Sequence, residues 1–323
     1  MNRNELTYSD NQLLAFIYEG YQIKATQLDF VDIGSFYAFK VTTNEGKNLF
    51  LKVYPKDQSL VPIHPTVKDL TNAGIALCRF RDEFAIENLS YMVTNKLGQF
   101  CHVTEGLTLI LFEHIEGFHP SYTPNQLTAD KLAALFFQIH QLPIHEFPYF
   151  EVEHFDIQYA LGLTEWVDHG FDLKDTTNAH AMFNLLDKNK EQLILGISKI
   201  KKWQEQFVKE TFPMSITHGD PHHYNVLQTS FDLWLVDWDG IKIAPIERDL
   251  WHYQDALLIE EYYKLKTNYA INKELCEFYR LQRFFEDCRY YLEQVLLKKN
   301  ATELQSEQDK ENFINHWGWS ICL

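Results

Sequence analysis

Three polar side chains in the second half of the sequence have the types and the order that phosphoryl transfer requires. Asp220 ends the run His-Gly-Asp, Asn225 follows five residues later, and Asp237 ends a short apolar run. In phosphoryl transfer one carboxylate orients the attacking hydroxyl and accepts its proton, while an amide and a second carboxylate hold Mg²⁺ on the nucleotide phosphates. We therefore expect Asp220 to be the catalytic base and Asn225 and Asp237 to be the metal ligands.

The residues between Asn225 and Asp237 predict a hairpin that would bring these two side chains together. Two short apolar runs, at 226–227 and 233–236, flank the segment Thr229-Ser230-Phe231-Asp232, whose composition is typical of a turn. A hairpin of these runs would place Asn225 and Asp237 at the same end, as a shared metal ion requires.

The histidines around Asp220 allow a second interpretation, a zinc site. His218 and His222 have the spacing of two ligands on one helical face. However, Gly219 and Pro221 make that stretch a poor helix, and no glutamate lies between the two histidines. We expect His218 to anchor the loop through hydrogen bonds instead.

The ordered set resembles the aminoglycoside phosphotransferase-like kinases, a family related to the protein kinases. The motif of that family is His-Gly-Asp, four residues, Asn, and then an Asp that closes the next hairpin. The residues themselves match over roughly 215–250, whereas elsewhere only the order of the predicted elements matches. The phrases Asp-Trp-Asp at 237–239, Pro-Ile-Glu-Arg-Asp-Leu at 245–250 and Arg-Phe-Phe-Glu-Asp at 283–287 are most similar to its spectinomycin phosphotransferase branch.

The resemblance implies an α+β, bilobal protein-kinase-like fold, with a small antiparallel β N-lobe and a larger, mostly helical C-lobe. The 323 residues, 46% of them hydrophobic, are enough for two lobes with substantial cores. We expect an N-lobe at 1–112, a hinge at 113–117 and a C-lobe at 118–323. The C-lobe would carry the catalytic loop at 218–225 and the metal-binding hairpin at 226–239.

The periodicity of apolar residues predicts the elements of these lobes. A first helix is expected at 11–20, and a second at about 66–72 that stops at Gly74. Strands are expected at 27–30, 38–42, 48–54, 89–94 and 107–112, and further helices at 126–142, 181–207, 248–265 and 273–297, with a loose polar segment at 298–312.

The resemblance also implies a nucleotide site in the N-lobe. Lys52, on the third predicted strand, would reach the α- and β-phosphates, although an exposed strand lysine is the alternative. Gly34 and Ser35 would cover the phosphates, unless they form a simple β-turn. The backbone groups of Glu113 and Ile115 in the hinge would bind the purine edge, which does not distinguish ATP from GTP.

One part of the kinase pattern is missing. The helix that follows Lys52 should carry a glutamate that holds the lysine, yet Asp57 and Asp69 are the only acidic residues between Lys56 and Gly74. An aspartate could substitute, a glutamate elsewhere could serve, or the pair could form only when nucleotide binds.

The acceptor is expected to be small, cationic and hydroxyl-bearing. In the branch that the chain resembles, an acidic pair near the C-terminus faces an amine-bearing substrate, which here implies Glu286 and Asp287. The alternative is that these carboxylates form surface ion pairs with Arg283 and Arg289. The net charge of −16 argues against sequence-independent nucleic-acid binding and is compatible with a cationic ligand.

Together these features predict an ATP- or GTP-dependent, Mg²⁺-requiring small-molecule O-phosphotransferase of the antibiotic-resistance type, acting on an aminocyclitol or aminoglycoside. A metabolic kinase of the choline, ethanolamine or homoserine type and a nucleotide-binding pseudokinase are the alternatives. No apolar run is long enough to span a bilayer and the N-terminus lacks the apolar core of a signal peptide, so no membrane partner and a cytoplasmic location are expected.

Overall fold

The computed structural model describes residues 3, 6–33, 36–56, 65–121, 125–169, 177–253, 257–296, 303–316 and 318–319. The chain divides into two compact units. The first comprises Met1–Glu151, Ser215–Ile243 and Asp255–Tyr269, and the second comprises Val152–Met214, Ala244–Gln254 and Ala270–Leu323. The lobe boundaries at 112 and 117 stay predictions.

The helices of the described residues, in chain order, are α1 (Asp10–Tyr21), α2 (Val67–Asp82), α3 (Gln126–His140), α4 (Gln158–His169), α5 (Thr177–Lys188), α6 (Lys190–Phe207), α7 (Glu247–Leu250), α8 (Leu257–Thr267), α9 (Lys273–Leu296) and α10 (Glu303–Ile314). The strands are β1 (Ala25–Val31), β2 (Tyr37–Thr43), β3 (Asn48–Pro55), β4 (Cys101–Val103), β5 (Leu107–Glu113), β6 (Ser215–Thr217), β7 (Val226–Gln228), β8 (Leu233–Leu235) and β9 (Lys242–Ala244). No helix among the described residues combines the length and the apolar character that crossing a bilayer requires.

The first unit contains a five-stranded antiparallel sheet in the order β1-β2-β3-β5-β4. The central strand β3 is buried along most of its length, and Lys52 lies on it between Leu51 and Val53, both fully buried. Helix α1 begins at a capping box of Ser9 and Gln12 and packs its buried side chains on the sheet core. The α+β fold that the resemblance implied is confirmed.

The prediction that α2 stops at Gly74 is wrong, because the helix continues to Asp82. A side chain at Gly74 would place its Cβ 2.5 Å from the ring of Phe100. The glycine is therefore required for close packing and does not end the helix. Helix α2 begins at a capping box, in which the side chains of Thr66 and Asp69 each accept a hydrogen bond from the other residue's backbone N–H.

The other differences from the predicted elements lie at 89–103, 181–207 and 248–265. The predicted strand at 89–94 forms isolated bridges at Leu89 and Met92, while the short β4 was not predicted. The expected helix at 181–207 is divided at Asn189, whose side chain bonds the Leu185 carbonyl and competes with helical pairing. The expected helix at 248–265 is likewise two helices, α7 and α8.

The second unit is helical around an aromatic core. Phe207, Phe278 and Phe284 are each at most 1% exposed, and α9 carries many of the core residues. The described part of the segment expected to be loose, 303–312, belongs to α10, which buries Phe313 completely in the same core. Burial of this large aromatic side chain helps to hold the polar helix against the core.

Candidate active site

The loop after β6 is shaped by a glycine and a buried histidine. Gly219 has φ of +97°, a backbone conformation that glycine adopts without steric cost. The ring of His218, 1% exposed, accepts the Asp220 backbone N–H at Nδ1 (3.2 Å) and donates from Nε2 to the Val236 carbonyl (2.8 Å). The prediction that His218 anchors the loop is confirmed, and Asp220 is presented from a fixed backbone.

Asn225 is joined both to this loop and to the hairpin of β7 and β8. Its side-chain amide donates to the Asp220 carbonyl at 2.7 Å, and its own carbonyl accepts the Val236 backbone N–H at 2.9 Å. Val226 pairs with Leu235 in the antiparallel ladder. Since Asn225 directly precedes β7 and Asp237 lies just beyond β8, the hairpin brings them to one end.

Asp237 has a left-handed backbone, with φ of 68° and ψ of 62°. Aspartate is among the few residues other than glycine that tolerate this region. The turn that follows carries Asp239, and both carboxylates contact the ammonium of Lys52. Lys52 Nζ donates to Oδ1 of Asp237 and, at 3.0 Å, to Oδ2 of Asp239.

These contacts identify acidic partners for Lys52 that sequence reasoning did not find. Asp69, one of the two aspartates considered, is occupied in the cap of α2, and Asp57 lies outside the described residues. The partners come instead from the hairpin, 185 and 187 positions away in sequence. Their presence is a property of the tertiary fold, which the local sequence around Lys52 does not indicate.

The lysine and its partners are largely withdrawn from water. The Lys52 side chain is 4% exposed, Asp239 16% and Asp237 26%. Burial lowers the pKa of Lys52, but the two carboxylates outweigh it and the net pKa is raised, so the side chain stays an ammonium at neutral pH. Burial raises the pKa of Asp239 despite the nearby lysine. The rings of Phe36 and Phe112 lie 4.4 and 5.4 Å from Lys52 Nζ.

Tyr54 is a further residue of the site that the sequence analysis missed. It lies two positions after Lys52 on β3 and therefore on the same face of the strand. Its hydroxyl donates to Oδ2 of Asp239, the oxygen that Lys52 also binds. The signal was present in the spacing, since a polar group two residues from a strand lysine shares its surroundings.

The predicted hinge follows β5 and is tied to the catalytic hairpin. The backbone N–H of exposed Glu113 donates to the Tyr91 carbonyl at 2.9 Å, and Ile115 lies half-buried two residues later. Just beyond, Phe118 and Gln228 exchange two backbone hydrogen bonds, of 3.0 and 2.8 Å. The predicted phosphate-covering residues Gly34 and Ser35 lie outside the described residues.

The donor set at the end of the hairpin suits Mg²⁺. Asn225 and Asp237 offer amide and carboxylate oxygens, which this hard cation prefers. In the described part of the chain, no group of three or more His, Cys, Asp or Glu side chains could hold a metal by itself. A Mg²⁺ ion shared with nucleotide phosphates needs fewer protein ligands than such a group supplies.

The predicted acceptor residues lie on α9 in the second unit. Asp287 contacts Arg283 Nε at 2.9 Å through one oxygen and His316 Nε2 at 3.0 Å through the other. The neighbouring Glu286 lies close enough to Tyr159 for its charge to add to the burial that raises the pKa of Tyr159 to about 12. Asp287 is therefore bound to its own chain through both oxygens.

Comparisons with known proteins identify phosphotransferases, in agreement with the geometry of the site. The model of the phosphotransferase enzyme family matches residues 33–264. The chain is similar to a spectinomycin phosphotransferase crystallised with ADP and spectinomycin, with 18% identity, 98% of each chain covered and a TM-score of 0.75. No curated protein sequence matches it closely enough to be counted as a relative.

Two other solved structures share the fold at lower identity. An amicoumacin kinase in complex with AMP-PNP, Ca²⁺ and its ligand is 10% identical over 97% of this chain and 96% of that one, with a TM-score of 0.62. The GDP and kanamycin complex of APH(2")-IIia is 14% identical over 94% and 97%, also with a TM-score of 0.62. The family match covers most of the sequence and includes the loop and hairpin described above, so the resemblance is confirmed: this chain belongs to the phosphotransferase enzyme family.

Proposed function

We propose that this protein transfers the γ-phosphoryl group of ATP or GTP to a hydroxyl group of a small, cationic acceptor. The observation that carries the proposal is the continuous set of contacts from Lys52 through Asp237 and the β7–β8 hairpin to Asn225 and Asp220. In this set a cation, two oxygen ligands and a carboxylate stand in the order that phosphoryl transfer uses.

Each side chain has one role in the proposed reaction. Lys52 binds the α- and β-phosphates, because its buried ammonium is a compact charge suited to phosphate oxygens. Asn225 and Asp237 would hold Mg²⁺, which supplies charge neutralisation on the phosphates when bound. Asp220 orients the acceptor hydroxyl in line with the phosphoryl group and takes its proton late in the transfer.

The nucleotide would lie against the N-terminal sheet of the first unit. Glu113 and Ile115 would bind the purine edge through backbone groups, and Gly34 and Ser35 would cover the phosphates. Binding through the backbone of Glu113 and Ile115 is compatible with both adenine and guanine. The similar structures contain ADP, AMP-PNP or GDP. The proposed lobes keep the limits 1–112 and 118–323, joined at 113–117.

The acceptor class rests on charge and on the similar structures. The net charge of −16 favours cationic ligands. Spectinomycin and kanamycin are ligands of two of the similar proteins. We propose an aminocyclitol or aminoglycoside acceptor, with Glu286 and Asp287 as the carboxylates that bind its ammonium groups. The contacts of Asp287 with Arg283 and His316 favour Glu286 as the stronger contributor.

A nucleotide-consumption screen tests the proposal. Wild-type protein with Mg²⁺ and either ATP or GTP is offered spectinomycin, kanamycin, choline and homoserine in parallel. One acceptor should raise consumption, and Asp220→Asn should reduce that rate by about 10²-fold or more while nucleotide still binds. Stimulation by choline alone would replace the antibiotic class with a metabolic one. Equal rates in wild type and Asp220→Asn would overturn the proposal.

A further inference from the structure

Asp239 has a different environment from the other two aspartates of the site. Its Oδ2 receives hydrogen bonds from both Lys52 Nζ and the Tyr54 hydroxyl. Its Oδ1 is buried and has no hydrogen-bond partner among the residues that the structure describes. The orientation of this carboxylate therefore depends on the two donors that meet at Oδ2.

Tyr54 is suited to hold that carboxylate permanently. It is 5% exposed, and its position on the central strand β3 leaves its ring little freedom. Burial, together with the nearby Asp239 and Asp237 charges, raises its pKa well above the ordinary value, so the hydroxyl keeps its proton and remains a donor.

In the proposed reaction, Asp237 is a ligand of Mg²⁺. The metal would compete with Lys52 for the negative charge of this carboxylate, so the contact with Lys52 would weaken when the metal and nucleotide bind. Helix α2 offers no substitute, because Asp69 is held in its N-terminal cap and Asp82, at its last position, is paired with Arg81. Among the contacts of Lys52, the one with Asp239 is the contact that could persist.

We infer that Asp239, oriented by Tyr54, is the permanent counter-ion that positions Lys52, a task that does not require a glutamate on α2. This inference rests on the proposed function, because that function is what gives Lys52 its role in phosphate binding. The contact between Lys52 and Asp239 itself exists without nucleotide. Asp239 and Tyr54 are positioning residues in this account, and Asp237 alone of the two hairpin carboxylates serves the metal.

The contact can be tested in the protein without nucleotide. Lysine labelled with nitrogen-15 allows NMR to measure how fast the Lys52 ammonium hydrogens exchange with water, with Lys52→Arg used to assign the signal. Tyr54→Phe and Asp239→Asn are nearly isosteric, and each should accelerate exchange about 10-fold because a hydrogen bond to a charged group is lost. Asp237→Asn should also accelerate exchange in this state, because Asp237 contacts Lys52 Nζ when no nucleotide is bound.

Tyr21→Phe is the matched control. Tyr21 is another buried tyrosine of the first unit, and its hydroxyl donates to the carbonyls of Phe100 and Leu109, away from the lysine. Its loss should leave Lys52 exchange unchanged. If Tyr54→Phe has no effect, or if Asp239→Asn no longer accelerates exchange once Mg²⁺ and a non-hydrolysable ATP analogue are bound, the inference is overturned.

Turnover separates a positioning role from a metal-binding role. Tyr54→Phe and Asp239→Asn should each lower kcat about 10-fold with little change in the nucleotide KM, and the double variant should fall no further than Asp239→Asn. A large rise in the Mg²⁺ concentration needed by Asp239→Asn would instead make Asp239 a metal ligand and refute the positioning role. Absence of transfer in the wild type would remove the proposed function, while the exchange rates would still decide what holds Lys52.

Discussion

Replacing Lys52 by methionine tests whether its buried ammonium stabilises the protein by pairing with Asp237 and Asp239. Lys52→Met keeps most of the length and volume of the side chain but removes its charge. The Asp237 and Asp239 carboxylates, which both contact the ammonium, would then face each other without a cation between them. The protein should fold, because the strand position and its neighbours are preserved, but it should be less stable.

The size of the effect follows from the burial of the three groups. Removing one member of a buried ion pair typically costs about 3–5 kcal/mol. Asp237 is 26% exposed and water would screen part of its charge, so we expect a loss of about 2–4 kcal/mol near neutral pH. Without Lys52 the pKa of Asp239, already raised by burial, rises further. Its protonation relieves the repulsion, so the loss should shrink as the pH falls toward about 4.

Urea denaturation followed by tryptophan fluorescence measures the loss. Lys40→Met is the matched control in the same sheet, since Lys40 is 34% exposed and lies 3.8 Å from the 85% exposed Glu116. An exposed pair of this kind contributes at most about 1 kcal/mol. If Lys52→Met costs no more than Lys40→Met at neutral pH, the reasoning about the buried triad is refuted.

Three further predictions concern packing, pH and the acceptor. Gly74→Ala should destabilise the protein by about 1–3 kcal/mol in urea denaturation, and adding Phe100→Leu should recover part of the loss, because the new methyl group meets that ring. Burial lowers the pKa of His102. Below about pH 6.5 the unfolded chain therefore takes up a proton first and stability falls, and His102→Phe should reduce that fall in melting temperature. Glu286→Gln should raise the acceptor KM but not the nucleotide KM, and equal KM values would exclude this carboxylate from the acceptor site.

The sequence predicted the local structure of the segment 215–239 well, because the contacts that shape it join residues close together in the sequence. The His-Gly-Asp run, the turn at 229–232 and the spacing of Asn225 and Asp237 all lie within one short stretch. Hydrogen bonds inside that stretch, such as those of His218 and of the Asn225 amide, complete the arrangement. Long helices with clear periodicity, such as α1 and α3, were predicted for the same reason.

What the sequence did not show depends on contacts between distant residues. The acidic partners of Lys52 lie 185 and 187 positions away, and only the fold reveals that Asp237 and Asp239 reach it. A glycine at position 74 is typical of a helix end, yet α2 continues past it. The position requires glycine because the ring of Phe100 leaves no room for a side chain. Helix α10 looks polar and loose in sequence, and burial of Phe313 stabilises it. In each case tertiary packing outweighs local propensity.

The most direct test of the account follows the phosphoryl group itself. Wild-type protein, Asp220→Asn and Asp237→Asn are incubated with Mg²⁺, nucleotide labelled in the γ-phosphoryl group and the acceptor found in the screen, and the label is traced by mass spectrometry of the products. The account predicts one labelled phosphoryl group on an acceptor hydroxyl with the wild type, and at least about 10²-fold less with either variant. Label that remains on the nucleotide or appears only as free phosphate with the wild type, or undiminished transfer by Asp220→Asn, would contradict it.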